Sequence, residues 1–338
     1  MWTEEKLNEI LTTPSEKLVE DMKKIKGDIM VLGAGGKMGP TLCTLAKNAC
    51  IKAGVDKKII AVSRFSDPIA TKLLQDSGVE TIPCDMLEPK ALDKLPNCEN
   101  IIYMAGRKFG TDGSEYLTWA MNAWLPSLVA ERFKKSTIVV FSSGNIYPFM
   151  PSNSGGCTEK IKPLPTGEYA MSCLARERMF EYGSKTYGTK VFTYRLNYAV
   201  DLRYGVLFDI AQSVIKGNPI SLLNSCFNCI WQGDANEIAI RGLLHASSPS
   251  NIVNVTGPET LSTKKVALEF GRLFDKEPVF VGEEEHSALL SDAGKSCELF
   301  GYPTVAVNTL IEWQAQWIKD GGRSLGKPTH FEEKKGKF

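Results

Sequence analysis

The chain has 338 residues, 43% of them hydrophobic and 23% charged, the composition of an ordinary folded protein rather than a disordered one. Its 40 Lys+Arg against 39 Asp+Glu leave a net charge of +1, so no bulk charge draws it to nucleic acid or to an anionic surface. Nine cysteines without a regular spacing exclude a disulfide framework and predict a reducing compartment, the cytoplasm. The CxxC pair Cys226 and Cys229 has no histidine near it in sequence, since the three stand at His245, His286 and His330. It reads as buried, unligated thiols, with no metal expected.

In chain order, residues 1–26 read as two short amphipathic helices broken at Pro14. Glu4, Glu5, Glu16, Glu20 and Asp21 argue against a secretory or mitochondrial leader. No apolar run is long enough to span a membrane. A strand is predicted at 28–32, then a glycine-rich turn, then a helix over 40–53. Further strands are predicted at 59–62, 80–83, 101–104, 137–141 and 191–194, with helical stretches of crossover length between them. Strands alternating with helices predict an α/β protein with a parallel sheet. After Asn197 the rhythm breaks into short pieces punctuated by Pro219, Pro258, Pro278 and Pro303, which suits a smaller second lobe. The lysine-rich stretch 327–338 reads as a solvated tail.

Gly33-Ala34-Gly35-Gly36-Lys37-Met38-Gly39 places three glycines at GxxGxxG spacing between a strand and a helix. One glycine makes the tight turn, one lets backbone approach a pyrophosphate, and one lets helix and strand pack closely. The helix N-terminus then offers its N–H groups to the anion. Ser63-Arg64 ends the second strand, where NAD-binding chains usually carry an acidic residue for the ribose. A hydroxyl and a guanidinium suit a 2′-phosphate, so NADP is favoured and NAD remains possible.

The ordered series of segments resembles the extended short-chain dehydrogenase/reductase family, the NAD-dependent epimerase/dehydratase group, from Asp28 to about Lys319. Besides the glycine turn, Cys84-Asp85-Met86 is similar to the family's adenine-contacting segment. Met104-Ala105-Gly106-Arg107-Lys108 is similar to its loop after the fourth strand, and Asn122 to the Asn on the helix that follows. Phe141-Ser142-Ser143-Gly144-Asn145-Ile146-Tyr147 resembles the strand that delivers the catalytic Ser or Thr. Tyr169-Ala170-Met171-Ser172-Cys173 stands where the family has YxxxK. Arg195-Leu196-Asn197, Gln232-Gly233-Asp234-Ala235 and Asn254-Val255-Thr256-Gly257 match later landmarks.

The resemblance implies a Rossmann-like doubly wound parallel sheet with a smaller α/β C-terminal substrate lobe. Residues 27–200, with 229–257, would bind the dinucleotide. Residues 201–228 and 258–325 would form the substrate lobe, after an extension over 1–26 and before a basic tail over 326–338. It implies Tyr169 as acid/base, Ser143 as holder of the substrate oxygen, and Cys173 in the lysine's place. Gly33, Gly36, Lys37, Met38, Gly39, Ser63, Arg64, Asp85, Met86, Ala105, Gly106, Lys108 and Asn122 would meet the cofactor. Asn145, Arg195 and Asn197 would join Ser143 and Tyr169 at the substrate.

Two departures stand out. A thiol at Cys173 brings no positive charge to lower the tyrosine's pKa; Arg176 and Lys108 are the candidate substitutes. Nucleotide-sugar members carry an Arg seven residues before the Asp that matches Asp234, and this chain has Phe227 there. The expected function is therefore an NAD(P)-dependent oxidoreductase or epimerase acting on a secondary alcohol of a small carbohydrate-like substrate, as a homodimer without nucleic-acid or membrane partners. The alternative is a cofactor-binding sensor with little catalysis.

Overall fold

The computed structural model describes residues 1–88, 90–108, 110–327 and 329–336. Seven strands form the central sheet: β1 (Ile29–Leu32), β2 (Ile59–Ser63), β3 (Glu80–Pro83), β4 (Asn100–Tyr103), β5 (Thr137–Ser143), β6 (Val191–Leu196) and β7 (Asn251–Val255). Their spatial order is β7-β6-β5-β4-β1-β2-β3, every neighbouring pair parallel. The chain runs outward in one direction from β1 through β2 to β3 and in the other from β4. Between β1 and β4 the crossovers diverge, which opens a crevice at the strands' carboxyl ends.

Six of these strands match the expected positions to within two residues. The seventh, β7, carries Asn254, seen in the sequence only as a landmark. Its polar residues Asn251 and Asn254 interrupt the apolar run, whereas Ile29–Leu32 and Asn100–Tyr103 are buried throughout, as strands covered on both faces must be.

Helix α1 (Glu4–Thr12) and helix α2 (Glu16–Lys24) precede the sheet. Ser15 caps α2 by accepting from Leu18 N at 3.1 Å, and its own hydroxyl donates to Glu237. Leu18, Met22 and Ile25 pack on the same face of the sheet as α3 (Gly39–Ala53). Leu7 and Leu11 join the C-terminal core around Phe208, Trp231 and Trp317. The extension thus packs on the body of its own chain. The basic tail also departs from the solvated reading: Thr329 and Phe331 are buried.

Candidate active site

The glycine turn follows β1 at the crevice, and each glycine has a separate physical reason. Gly33 has φ +91°, and a β-carbon there would stand 2.5 Å from Ala105 N. A β-carbon on Gly39 would run into the Ala34 carbonyl, so only glycine lets α3 pack against the turn. Gly36 differs, because among the described residues the only atom near its added β-carbon is Gly33 O at 3.4 Å. That side of Gly36 opens onto the cleft and would be filled by any side chain. Met38 precedes α3 without a side-chain cap, so the first-turn N–H groups remain available to an anion. An open glycine and an uncapped helix start suit a dinucleotide pyrophosphate.

A cleft of about 300 Å³ runs from this turn across the carboxyl ends of β4 and β5. It gathers Gly33, Gly36, Lys37, Met38, Gly106 and Lys108 on the dinucleotide side and Ser143, Asn145, Tyr169 and Asn197 on the other. Tyr169 lies in the first turn of a long helix, Gly167–Tyr187. Its hydroxyl meets the side chains of Ser143 and Cys173. Burial, and then the Cys173 thiol, push the Tyr169 hydroxyl well above the usual tyrosine range, while the Arg176 charge and the Ser143 hydrogen bond pull it back. Burial wins, so the resting hydroxyl keeps its proton.

Arg176 is one turn beyond Cys173 and reaches back under the cleft floor. Its Nη1 donates to Phe141 O at 2.8 Å and its Nη2 to Asn122 Oδ1 at 2.7 Å. Both acceptors are neutral, and Nε has no hydrogen-bond partner among the described residues. A β-carbon on Gly106 would lie 2.6 Å from Nη2. The guanidinium is therefore a buried positive charge wedged beneath the loop after β4. Lys108 is the second cation, with Nζ 5.8 Å from the Tyr169 ring and donating to Thr329 O at 3.1 Å. Burial pushes Lys108 down to about 8. Lys37 donates to Ala199 O at 3.1 Å and stands 3.9 Å from the Tyr204 ring. Burial pushes it down to about 7.

Several predicted residues lie elsewhere. Arg195 is turned to partners inside the protein: its Nε and Nη2 donate to Glu177 at 2.9 and 2.7 Å and its Nη1 donates to Tyr147 Oη at 2.6 Å. At 3% exposure it is buried and is not among the residues that line the cleft. Cys173 is fully buried behind Tyr169 and does not line the cleft. Asn122 is buried too and holds the loop after β4 by exchanging hydrogen bonds with Arg107 N and O, each 2.8 Å. It positions Ala105 and Gly106 rather than touching the cleft itself. Arg64 is exposed at the end of β2, 3.8 Å from Asp85. Asp85 caps the turn before Met86 and Leu87 by accepting from Leu87 N at 3.1 Å. Ser63 packs on Gly35, where a β-carbon would come 2.5 Å from its hydroxyl.

The sequence reading missed Tyr198, Tyr204, Gly205 and Thr329, all of which line the cleft. Tyr198 sits at φ +45°, a backbone state uncommon outside glycine, and no sequence pattern flagged it. Cys226 and Cys229 are buried free thiols.

A family model for the NAD dependent epimerase/dehydratase family matches residues 29–222. The chain belongs to that family. Its members' fold recurs in solved structures of low sequence identity. The UDP-glucuronic acid 4-epimerase of Bacillus cereus, in complex with NAD, is 18% identical with a TM-score of 0.69, covering 87% of this chain and 99% of that one. The UDP-glucose 4-epimerase of Thermotoga maritima, with UDP-glucose, is 15% identical with a TM-score of 0.70 over the same shares. The UDP-glucose 4-epimerase of Thermus thermophilus, in complex with NAD, is 18% identical with a TM-score of 0.68, covering 86% and 99%. No curated protein sequence matches the chain. The family assignment makes it an enzyme of the extended short-chain dehydrogenase/reductase type with a Rossmann-like sheet. Among the described residues no helix is long and apolar enough to cross a membrane.

Proposed function

We propose that this family member binds a nicotinamide dinucleotide along the Gly33–Gly39 turn and interconverts a secondary alcohol and its ketone on a small carbohydrate. The observation that carries this reading is the convergence of Tyr169 and Ser143 on one cleft wall opposite the open face of Gly36. The dinucleotide, when bound, would accept or supply the hydride. Ser143 holds the substrate oxygen by hydrogen bond. Tyr169 gives its proton to that oxygen when a ketone is reduced and takes it back when an alcohol is oxidised. Because burial keeps the hydroxyl protonated, the second task needs help, and the Arg176 charge supplies part of what the family's lysine provides.

We read NADP as favoured, since Ser63-Arg64 offers no carboxylate to the ribose and Arg64 is free to meet a phosphate at the cost of a weak, exposed pair with Asp85. The solved relatives named above that carry a cofactor hold NAD. A uridine-diphosphate sugar is disfavoured, because Phe227 is fully buried where a diphosphate would need a cation. Nine free thiols fit the cytosol. A homodimer would cover exposed Tyr116, Trp124 and Tyr182, and sizing by light scattering tests it.

The experiment is titration of the purified protein with NADP, NAD and their reduced forms, then hydride exchange across a panel of polyols, sugars and sugar acids. Turnover that Tyr169→Phe abolishes, with cofactor affinity unchanged, supports the reading. Binding with no exchange on any panel favours the sensor alternative.

A further inference from the structure

Tyr198 and Tyr204 line the same cleft as Ser143 and Tyr169, and both are held firmly by their backbone. The Tyr198 carbonyl accepts from Ile230 N at 3.1 Å, and the two residues after it, Ala199 and Val200, pair in parallel with Ile230 and Trp231. Its side chain packs against the C-terminal core. The backbone at Tyr198 stands at φ +45°, a left-handed state that a bulky residue adopts only at a cost. Such strain persists where the surroundings over-determine a conformation, and it gathers at binding sites. Tyr204 closes a tight loop with Asp201: its N–H donates to Asp201 O at 3.0 Å and its carbonyl accepts from Asp201 N at 2.9 Å. Lys37 Nζ, 3.9 Å from the ring centroid, holds the Tyr204 ring from one side.

Held this way, the two phenols are left without protein partners. Neither hydroxyl makes a hydrogen bond among the described residues. Burial first, then the neighbouring phenol for Tyr198 and Asp209 for Tyr204, push both above the usual tyrosine range, so both stay neutral. Asn145 is alike: its backbone N–H donates to Ser143 Oγ at 3.2 Å, while its side-chain amide has no partner among the described residues. Polar groups at a cleft are satisfied by water or by a ligand. Tyr198 and Asn145 border both the main cleft and the small cavity of about 30 Å³ beyond it. The lysines at that end are engaged, Lys108 with the Thr329 carbonyl at 3.1 Å and Lys334 with Glu285 at 2.7 Å. The substrate side thus offers neutral groups that both donate and accept, beside an aromatic ring.

We propose that Tyr198 is a specificity-determining residue of the substrate side and that, with Tyr204 and Asn145, it selects a neutral polyhydroxylated ring over a sugar acid. A tyrosine presents an apolar body to the C–H surface of such a ring and a polar tip to one of its hydroxyls. Hydroxyl groups donate and accept, as phenols and amides do, whereas a carboxylate only accepts. Moving a carboxylate out of water beside neutral groups also costs far more than moving a hydroxyl. This inference rests on the proposed function of the cleft, and it names the substrate class and a residue that chooses it.

The test uses the full-length protein saturated with NADH and titrated calorimetrically with myo-inositol, D-galactose and D-galacturonate as probes. NADH binding is measured first on every variant. If NADH fails to bind the parent protein, the reading of the cleft falls and this proposal with it. With NADH bound, the parent protein should bind at least one of the two neutral probes about tenfold or more tighter than galacturonate. Tyr198→Phe keeps the ring and drops the hydroxyl, and should weaken that probe by about three- to tenfold, the worth of one hydrogen bond. Tyr198→Gly suits a positive φ, which guards against misfolding, and should weaken it by about 30-fold or more, because the ring's contact area goes too. NADH affinity should stay within about twofold in both variants, as for sites that do not share partners. A parent protein that holds NADH but neither neutral probe would overturn the proposal. Tighter binding of galacturonate would do the same, as would variants that both bind the neutral probe as the parent does.

Discussion

Burial holds Lys37 at about 7 and Lys108 at about 8, against an ordinary lysine value near ~10.4. Both border the cleft assigned to the dinucleotide. A pyrophosphate seated on the glycine turn stabilises the charged form of each, so binding must take up protons wherever the free lysines are neutral. At pH 8, Lys37 would take up about 0.9 proton and Lys108 about 0.5, from their free-state values and simple titration. Affinity should then fall by about 50-fold between pH 7 and pH 9 through Lys37, and by about tenfold more through Lys108. The assay is calorimetric titration with NAD and NADP in two buffers of different ionisation enthalpy, repeated at pH 7, 8 and 9. Lys37→Met should remove the larger share of proton uptake and leave about half a proton at pH 8. Zero uptake with an affinity flat across this range would refute the placement of both lysines at the anion. The unliganded protein carries the same linkage with its own sign. The unfolded chain binds more protons than the folded one between about 7 and the ordinary lysine value, so stability rises with pH through that window at up to about 1.4 kcal/mol per unit for Lys37.

Glu177 accepts from Ser142, from Arg195 Nε and, through its other oxygen, from Arg195 Nη2, all between 2.6 and 2.9 Å and all buried. Glu177→Ala leaves a buried guanidinium unpaired and should cost about 3–5 kcal/mol in urea unfolding. Arg176→Met should lower turnover by about 10–100-fold and move the ascending limb of the pH–rate profile in the oxidative direction to higher pH, as expected when a nearby cation leaves a tyrosine base; an unmoved limb would assign Arg176 to the fold alone. Arg64→Ala should weaken NADP by at least tenfold and NAD by less than threefold, the loss of one charge-assisted contact; equal losses would remove the cofactor preference.

Much of this architecture is legible in the sequence because its signals are local. Six strands announce themselves as short apolar runs, and the glycine turn is legible because Gly33 and Gly39 answer local steric demands. The misreadings share a different origin. Arg195 reads as a polar candidate near the pocket until its partner Glu177, 18 residues away on another element, is seen to consume it. Asn122 and Cys173 fall at the family's positions but turn inward, one to brace a loop and the other to pack behind Tyr169. The packing of residues 329–336 was hidden by composition, since a stretch of lysines and glutamates reads as solvated. Its single clue was Phe331, an aromatic set among charges, whose partner Phe227 lies 104 positions earlier. Contacts that far apart leave no periodicity to find.

The central claim is that a dinucleotide lies against the open face of Gly36, and one measurement addresses it most directly. NADH fluorescence titration of the parent protein and of Gly36→Asp, with melting temperatures recorded for both, separates the anion site from the fold. The added carboxylate projects into the cleft with, among the described residues, no atom nearer its β-carbon than Gly33 O at 3.4 Å. The account predicts one NADH per parent chain, at least 100-fold weaker binding to Gly36→Asp, and melting temperatures within about 3 °C, as for a surface change worth well under 1 kcal/mol. Equal NADH affinity in the two proteins would contradict it.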